Sequence, residues 1–229
     1  MNYKLSPSDL TFLYEGCRYC FYLKARHQIS QPSIPIPAIF SKISSLLENY
    51  YNGKRTEELH KDLPPGTIIY GEEFVESQPI HFSGHKDTCF IKGRFDIVIK
   101  FDDGTYGVID FKTSNPEGQH SILYSRQLHA YAYALENPAH GAIKLSPVSM
   151  LGLLYFYPSK VNQQSRDWLS FDSEIYLVEI KKDYHQFLIF IKEVLSLLES
   201  PDYPDSAQDC IWCNYMSKIE RLDHFKKEG

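Results

Sequence analysis

No run of the 229 residues approaches 18 consecutive apolar positions, which excludes a membrane-spanning helix as an organising element. The opening MNYKLSPSDL lacks the basic-then-apolar order of a secretory signal, so the expected setting is cytoplasmic and reducing, with no membrane partner. Glycine (12) and proline (13) are too sparse for a fibrous or low-complexity chain, and no internal repeat is present. An excess of basic residues is also missing. The 24 Lys and Arg against 29 Asp and Glu leave a net charge of −5, which argues against broad, sequence-blind binding to a polyanion. That sum hides an asymmetry: residues 1–61 carry eight bases and five acids, and the rest carry sixteen and twenty-four. Such a balance suits a local phosphate groove beside an acidic metal site, or an ordinary solvated surface. What is present, 43% hydrophobic and 23% charged residues, describes a globular chain with ample core, expected to be a single domain over 1–229.

Periodicity divides the chain into elements. Ser8-Asp9 is placed to cap a helix from Leu10 to His27, ended by the proline-bearing SQPSIPIPA. IFSKISSLLENYYNG reads as a second helix stopping at Gly53, and TIIYGEEFVE (67–76) as a strand. Residues 89–114 contain two β-rich runs joined by Asp102-Asp103-Gly104 and read as a hairpin. Residues 121–135 read as a helix, 149–157 and 174–180 as strands, and Asp183 as the cap of a long amphipathic helix. The tail reads as a turn-rich connector with a CxxC and a short last helix. The expected fold class is α/β, a mixed central sheet flanked by helices.

The hairpin carries the chemistry. A three-residue loop with Gly104 last fits a type I turn plus G1 bulge, pairing Phe101 with Thr105 and so setting Asp96 opposite Asp110 on one face. A four-residue loop would put the two aspartates on opposite faces. Asp110 and Lys112, two apart on a strand, also share a face, and charges there need a reason. Asp96 and Asp110, with the Phe111 carbonyl as a third oxygen, form the hard-oxygen environment that Mg²⁺ prefers. Lys112 would position an attacking water and stabilise charge building on a phosphate. Taken alone, D-x-K also fits a solvated strand pair.

GRFD (93–96), IDFKT (109–113) and QLHAYAYAL (127–135), in that order, resemble the three-part signature of the PD-(D/E)XK nuclease superfamily in its RecB-like branch. SPSDLTFLYEGCRYCFYLK (6–24) is similar to the branch's opening helix. The resemblance implies a restriction-endonuclease-like core, Asp96 and Asp110 as ligands of Mg²⁺ or Mn²⁺, and Lys112 as the catalytic lysine. It places Gln127 and Tyr131, four apart on one helix face, beside the site to fix Lys112 or contact a phosphate. Glu73 and Arg126 are weaker candidates, for which surface placement is the plainer reading. One position departs from the pattern. The branch carries a histidine metal ligand on its second helix, and apolar spacing puts Ser44 there; Glu48, one turn on, could reach the ion, and His60, His81 or His85 could arrive from loops, but none matches the motif.

Four of the five cysteines form two CxxC pairs, Cys17/Cys20 and Cys210/Cys213, the spacing that lets thiolates grip one metal centre. Disulfides fit poorly with a reducing compartment. Cys89, without a partner, reads as a small buried apolar residue. The pairs are expected to join residues 1–30 to 200–229. The sequence is also similar to the cysteine-cluster CRISPR-associated exonucleases, which hold an iron-sulfur cluster on one N-terminal and three C-terminal cysteines. The two-and-two arrangement here leaves an iron-sulfur cluster and a tetrahedral zinc both open.

The reading is a metal-dependent deoxyribonuclease, exonuclease-like on single-stranded DNA or DNA with free ends, whose 17 tyrosines offer stacking surfaces for bases. The resemblance also implies protein partners in a DNA-processing or defence complex. Two rivals stand: a nuclease-fold DNA-binding or scaffold subunit that has lost turnover, and a zinc-stapled interaction module, which leaves GRFD and IDFKT unexplained.

Overall fold

The runs IVIKF and YGVIDFK alternate two sets of apolar side chains and so bury both faces of the sheet they form. In the computed structural model, which describes residues 1–32, 37–71, 73–115 and 121–227, they are two strands of a five-stranded sheet. In chain order the elements begin with β1 (Asn2–Leu5), a π-helical turn (Asp9–Leu13), α1 (Tyr14–Gly16), α2 (Arg18–His27), α3 (Ala38–Tyr51) and α4 (Thr56–Leu59). Next come β2 (Gly66–Gly71), β3 (Phe74–Glu76), β4 (Thr88–Arg94), β5 (Ile97–Phe101), β6 (Tyr106–Lys112) and α5 (Ser121–Glu136). The chain closes with β7 (Val148–Ser165), β8 (Trp168–Ile180), α6 (Tyr184–Glu199) and α7 (Ile211–Lys227).

The larger sheet has the order β2-β5-β6-β7-β8, antiparallel except for β6 and β7, whose parallel pairing is what the α5 crossover requires. A smaller sheet has the order β1-β4-β3. The two faces of the larger sheet belong to different cores. Val98, Val108, Leu151 and Leu153 pack in the main core with Leu128 and Tyr131 of α5 and Ile191 and Leu195 of α6. Ile97, Ile99, Ile109 and Phe111 join Tyr51, Leu59 and Ile68 in the second. Asp110 therefore lies on the α5 side while its neighbour Phe111 faces the α3–α4 side.

The hairpin register is the one that the loop predicts. Phe101 N–H donates to the Thr105 carbonyl at 2.9 Å, Gly104 has φ +86°, and Ile97 pairs with Ile109. Asp183 caps α6, accepting from Gln186 N–H at 3.0 Å.

Elsewhere the elements differ from the sequence reading. The first helix starts earlier and breaks: Ser6, not Ser8, accepts from Asp9 N–H at 3.3 Å, with Pro7 suited to the first helical position. The break falls at Cys17, whose backbone is extended (φ −166°, ψ 109°) after the poor helix former Gly16. TIIYGEEFVE is two strands in two sheets, since β2 pairs with β5 and β3 with β4. Residues 158–173 are paired too, lengthening β7 and β8 into a solvated ribbon on which Val161, Trp168, Leu169 and Phe171 stay exposed. The last helix is long, Ile211–Lys227. Of the proline-bearing break, residues 33–36 lie outside the described residues.

His129 ties α5 to α6. Asp183 N–H donates to its Nε2 at 2.8 Å, so the proton sits on Nδ1, which lies 2.7 Å from the Ser125 carbonyl. Burial lowers its pKa, outweighing the Ser125 carbonyl. The folded state thus binds fewer protons than the unfolded one: the stabilisation is complete above the ordinary histidine pKa and is lost as pH falls through it. His129→Gln should flatten that acid limb of a Tm-against-pH curve; an unchanged slope would remove His129 as its source.

Candidate active site

Asp96 occupies the bend between β4 and β5, where the chain leaves the small sheet for the large one. The bend is crowded. A Cβ at Gly93 would lie 2.6 Å from the Pro7 ring and 3.3 Å from the Tyr131 ring, so a side chain there would push α5 and the first helical turn off the strand. One residue beyond the paired ladder, the Asp96 carboxylate turns back over β6 and accepts the Phe111 N–H at 2.7 Å. Phe111 thus enters the site through its main chain while its ring stays in the second core.

Asp110 is 3% exposed and lies against Lys112, whose ammonium forms an ion pair with Oδ2. Gln127 Nε2 donates to Asp110 Oδ1 at 3.2 Å and to the Tyr131 hydroxyl at 3.1 Å. The structure therefore brings together Asp96, Asp110, Lys112, Gln127 and Tyr131. Two buried oxygens remain short of donors: Asp110 Oδ2, despite the ammonium against it, and Gln127 Oε1 accept no aligned hydrogen bond. Burial, then the charge of Asp110, pushes the Asp96 carboxyl up to about 8, against the Phe111 N–H and Lys112. Burial raises Asp110 as well, with Lys112 opposing. Two buried carboxylates that resist ionising together are the donor set a hard divalent cation satisfies.

Of the substitutes for the motif histidine, Glu48 is the one beside this site. It is 6% exposed, a Cβ at Gly71 would lie 3.7 Å from both its Cβ and the Asp96 carbonyl, and its charge adds to the rise at Asp96. Burial raises the pKa of Glu48 itself, with Arg94 opposing. Ser44 sits one turn earlier on α3, half-buried. His85 is engaged with Glu199 and His60 with the Asp62 N–H. Glu73 is exposed, and Arg126 pairs with Glu15 and covers the Phe190 ring, so neither joins the site. A residue missed from sequence is Tyr124, whose ring centroid lies 4.2 Å from Lys112 Nζ. It shares a helix face with Gln127 and Tyr131 at spacings of three and four, which was the available signal.

The cysteines converge at a second place. Cys17 follows the break after α1, Cys20 lies in α2, Cys210 precedes α7 and Cys213 is in its first turn. All four sulfurs lie within 4.8 Å of one another, close enough to hold one metal ion. Burial pushes the Cys20 thiol up to about 11, and Cys213 is raised too. Cys17 is held low despite its burial by the backbone N–H groups of Ala207 and Cys20. Cys89 stands apart in the main core, where burial pushes its thiol up to about 12.

The family model of the PD-(D/E)XK nuclease superfamily matches residues 30–217. Among 16 matching chains of known structure is that of SSO0001, 22% identical with a TM-score of 0.47, over 86% of this chain and 78% of that one. No curated protein sequence matches this chain. No helix among the described residues is long and apolar enough to cross a membrane.

Proposed function

This chain belongs to the PD-(D/E)XK nuclease superfamily, and from that premise we propose that it hydrolyses DNA phosphodiester bonds with Mg²⁺ or Mn²⁺. The reading places it in the RecB-like branch and gives it exonuclease-like action on single-stranded or end-containing DNA, inside a DNA-processing or defence complex. The observation that carries it is the buried pair Asp96 and Asp110, whose joint ionisation burial disfavours, with Lys112 paired to Asp110 Oδ2.

Asp96, Asp110 and the Phe111 carbonyl would hold the divalent cation, with Glu48 in the role that a histidine plays elsewhere in the branch. Bound there, the ion supplies positive charge to a phosphoryl oxygen and acidity to a water. The residues do the rest. Gln127, donating to Asp110 and Tyr131, keeps that carboxylate from turning away from Asp96. Tyr124 lies against the Lys112 ammonium and helps hold it in place, and the ammonium's protons that Asp110 does not take would serve the attacking water and a non-bridging phosphate oxygen. The water oxygen bonds to phosphorus as the bond to the leaving sugar oxygen breaks; the water's proton departs to solvent and the leaving oxygen gains one. The net result is one hydrolysed phosphodiester.

Digestion of end-labelled single- and double-stranded DNA with Mg²⁺, with Mn²⁺ and with chelator tests the reading. Cleavage that requires the ion supports it. Binding of DNA with no cleavage under any divalent ion would instead mark a scaffold subunit. Glu48→Gln should weaken Mn²⁺ binding measured by calorimetry about 10-fold. Unchanged affinity would remove Glu48 from the ligand set.

A further inference from the structure

We propose that the four cysteines hold a single tetrahedral zinc ion and not an iron-sulfur cluster. The proposal rests on the size of the sulfur tetrahedron and is independent of the nuclease reading. Cys17 Sγ lies 3.8 Å from Cys213 Sγ, and Cys20 Sγ lies 3.8 Å from Cys210 Sγ and 3.4 Å from Cys213 Sγ. Every sulfur lies within 4.8 Å of every other.

A zinc–sulfur bond of about 2.3 Å sets the edge of a regular S₄ tetrahedron at about 3.8 Å. In a four-iron cluster each thiolate sits on its own corner iron with inorganic sulfide between the corners, so neighbouring cysteine sulfurs stand on the order of 6 Å apart. The tetrahedron here is too small to enclose that core. A two-iron cluster fails differently. It would take two thiolates on each iron, giving two tight pairs held apart by the sulfide bridge. In this chain no two of the four sulfurs are more than 4.8 Å apart, so they surround one point.

The surroundings agree with a closed ion. Cys17, Cys20 and Cys210 are buried, with Leu13, Tyr19, Ala207 and Trp212 packed around the sulfurs. Gln31 Nε2 lies 3.9 Å from Cys210 Sγ, a weak donor to a thiolate. Four sulfurs complete the coordination shell, so the site has no open position and its role is structural, joining α2 to α7.

The experiment is metal and sulfide analysis of wild-type protein, expressed with both iron and zinc supplied and purified without oxygen so that any cluster survives. The expected result is one zinc per chain, no acid-labile sulfide and no visible absorption. Cobalt(II) exchanged into that protein should show the intense visible bands of tetrahedral thiolate coordination. Iron with stoichiometric sulfide would overturn the proposal, as would a single iron without sulfide, or zinc-free folded protein in which cobalt gives only the weak bands of octahedral coordination.

Discussion

Asp110→Asn is expected to abolish DNA cleavage, lowering the rate roughly 10²-fold or more, while the protein stays folded. Asparagine keeps the shape and can still accept from Gln127, but it removes the charge that a divalent cation needs. Asp110 is 3% exposed beside Asp96, and burial and mutual repulsion disfavour the ionised pair, so the substitution also relieves an electrostatic cost. The distinguishing outcome is therefore paired: activity is lost while Tm in chelator is unchanged or higher. Lys112→Met should lose activity by a similar factor, because it keeps the packed stem and removes the ammonium. Its folding cost is limited, since the carboxyls whose ionised form Lys112 favours can take up a proton. Full activity in Asp110→Asn, or cleavage that persists in chelator, would refute the assignment of the site.

Cys213→Ser is expected to have the largest effect on stability. Removing one of four ligands opens the metal centre, and with it the tie between α2 and α7. The loss should be on the order of 3 kcal/mol, or a Tm lower by about 10 °C for a chain of this size. The tail has little else to hold it. Residues 201–209 are mostly exposed, and α7 leaves Ile211, Tyr215 and Met216 half or more exposed. Limited proteolysis should consequently cut the variant after α6 while the wild type is protected, and cleavage of DNA at low temperature should persist. Equal Tm and equal protection of the tail would show that the four sulfurs contribute nothing to holding the ends together.

Much of the candidate site was legible because it depends on local rules. The loop Asp102-Asp103-Gly104 sets the hairpin register, the register sets the face of Asp110, and a spacing of two puts Lys112 beside it. Gln127 and Tyr131 share a face by helical spacing, and the CxxC pairs announce themselves as candidate metal ligands. Other features were not written in any local stretch. The sequence read 89–114 as one hairpin, yet the chain changes sheets at Asp96, because β4 is committed to β1 and β3 by pairings across the chain. The ribbon 158–173 pairs through its main chain, and because its apolar residues stay exposed no buried face marks its extent.

By its sequence alone the chain determined its α/β class, the hairpin register, the carboxylate–lysine set and the two cysteine pairs, since each follows from spacings of a few residues. Tertiary structure decided which side chain stands nearest the gap in the motif. Ser44 occupies the aligned position, but it is Glu48, one helical turn on, that α3 sets beside Asp96, and Tyr124 that α5 lays over Lys112. It also decided the separation of sulfurs that lie as many as 196 residues apart in the chain. Periodicity specifies which side of an element a residue occupies; distances between elements come from how the two cores pack, and the choice between one ion and a cluster is a matter of distance.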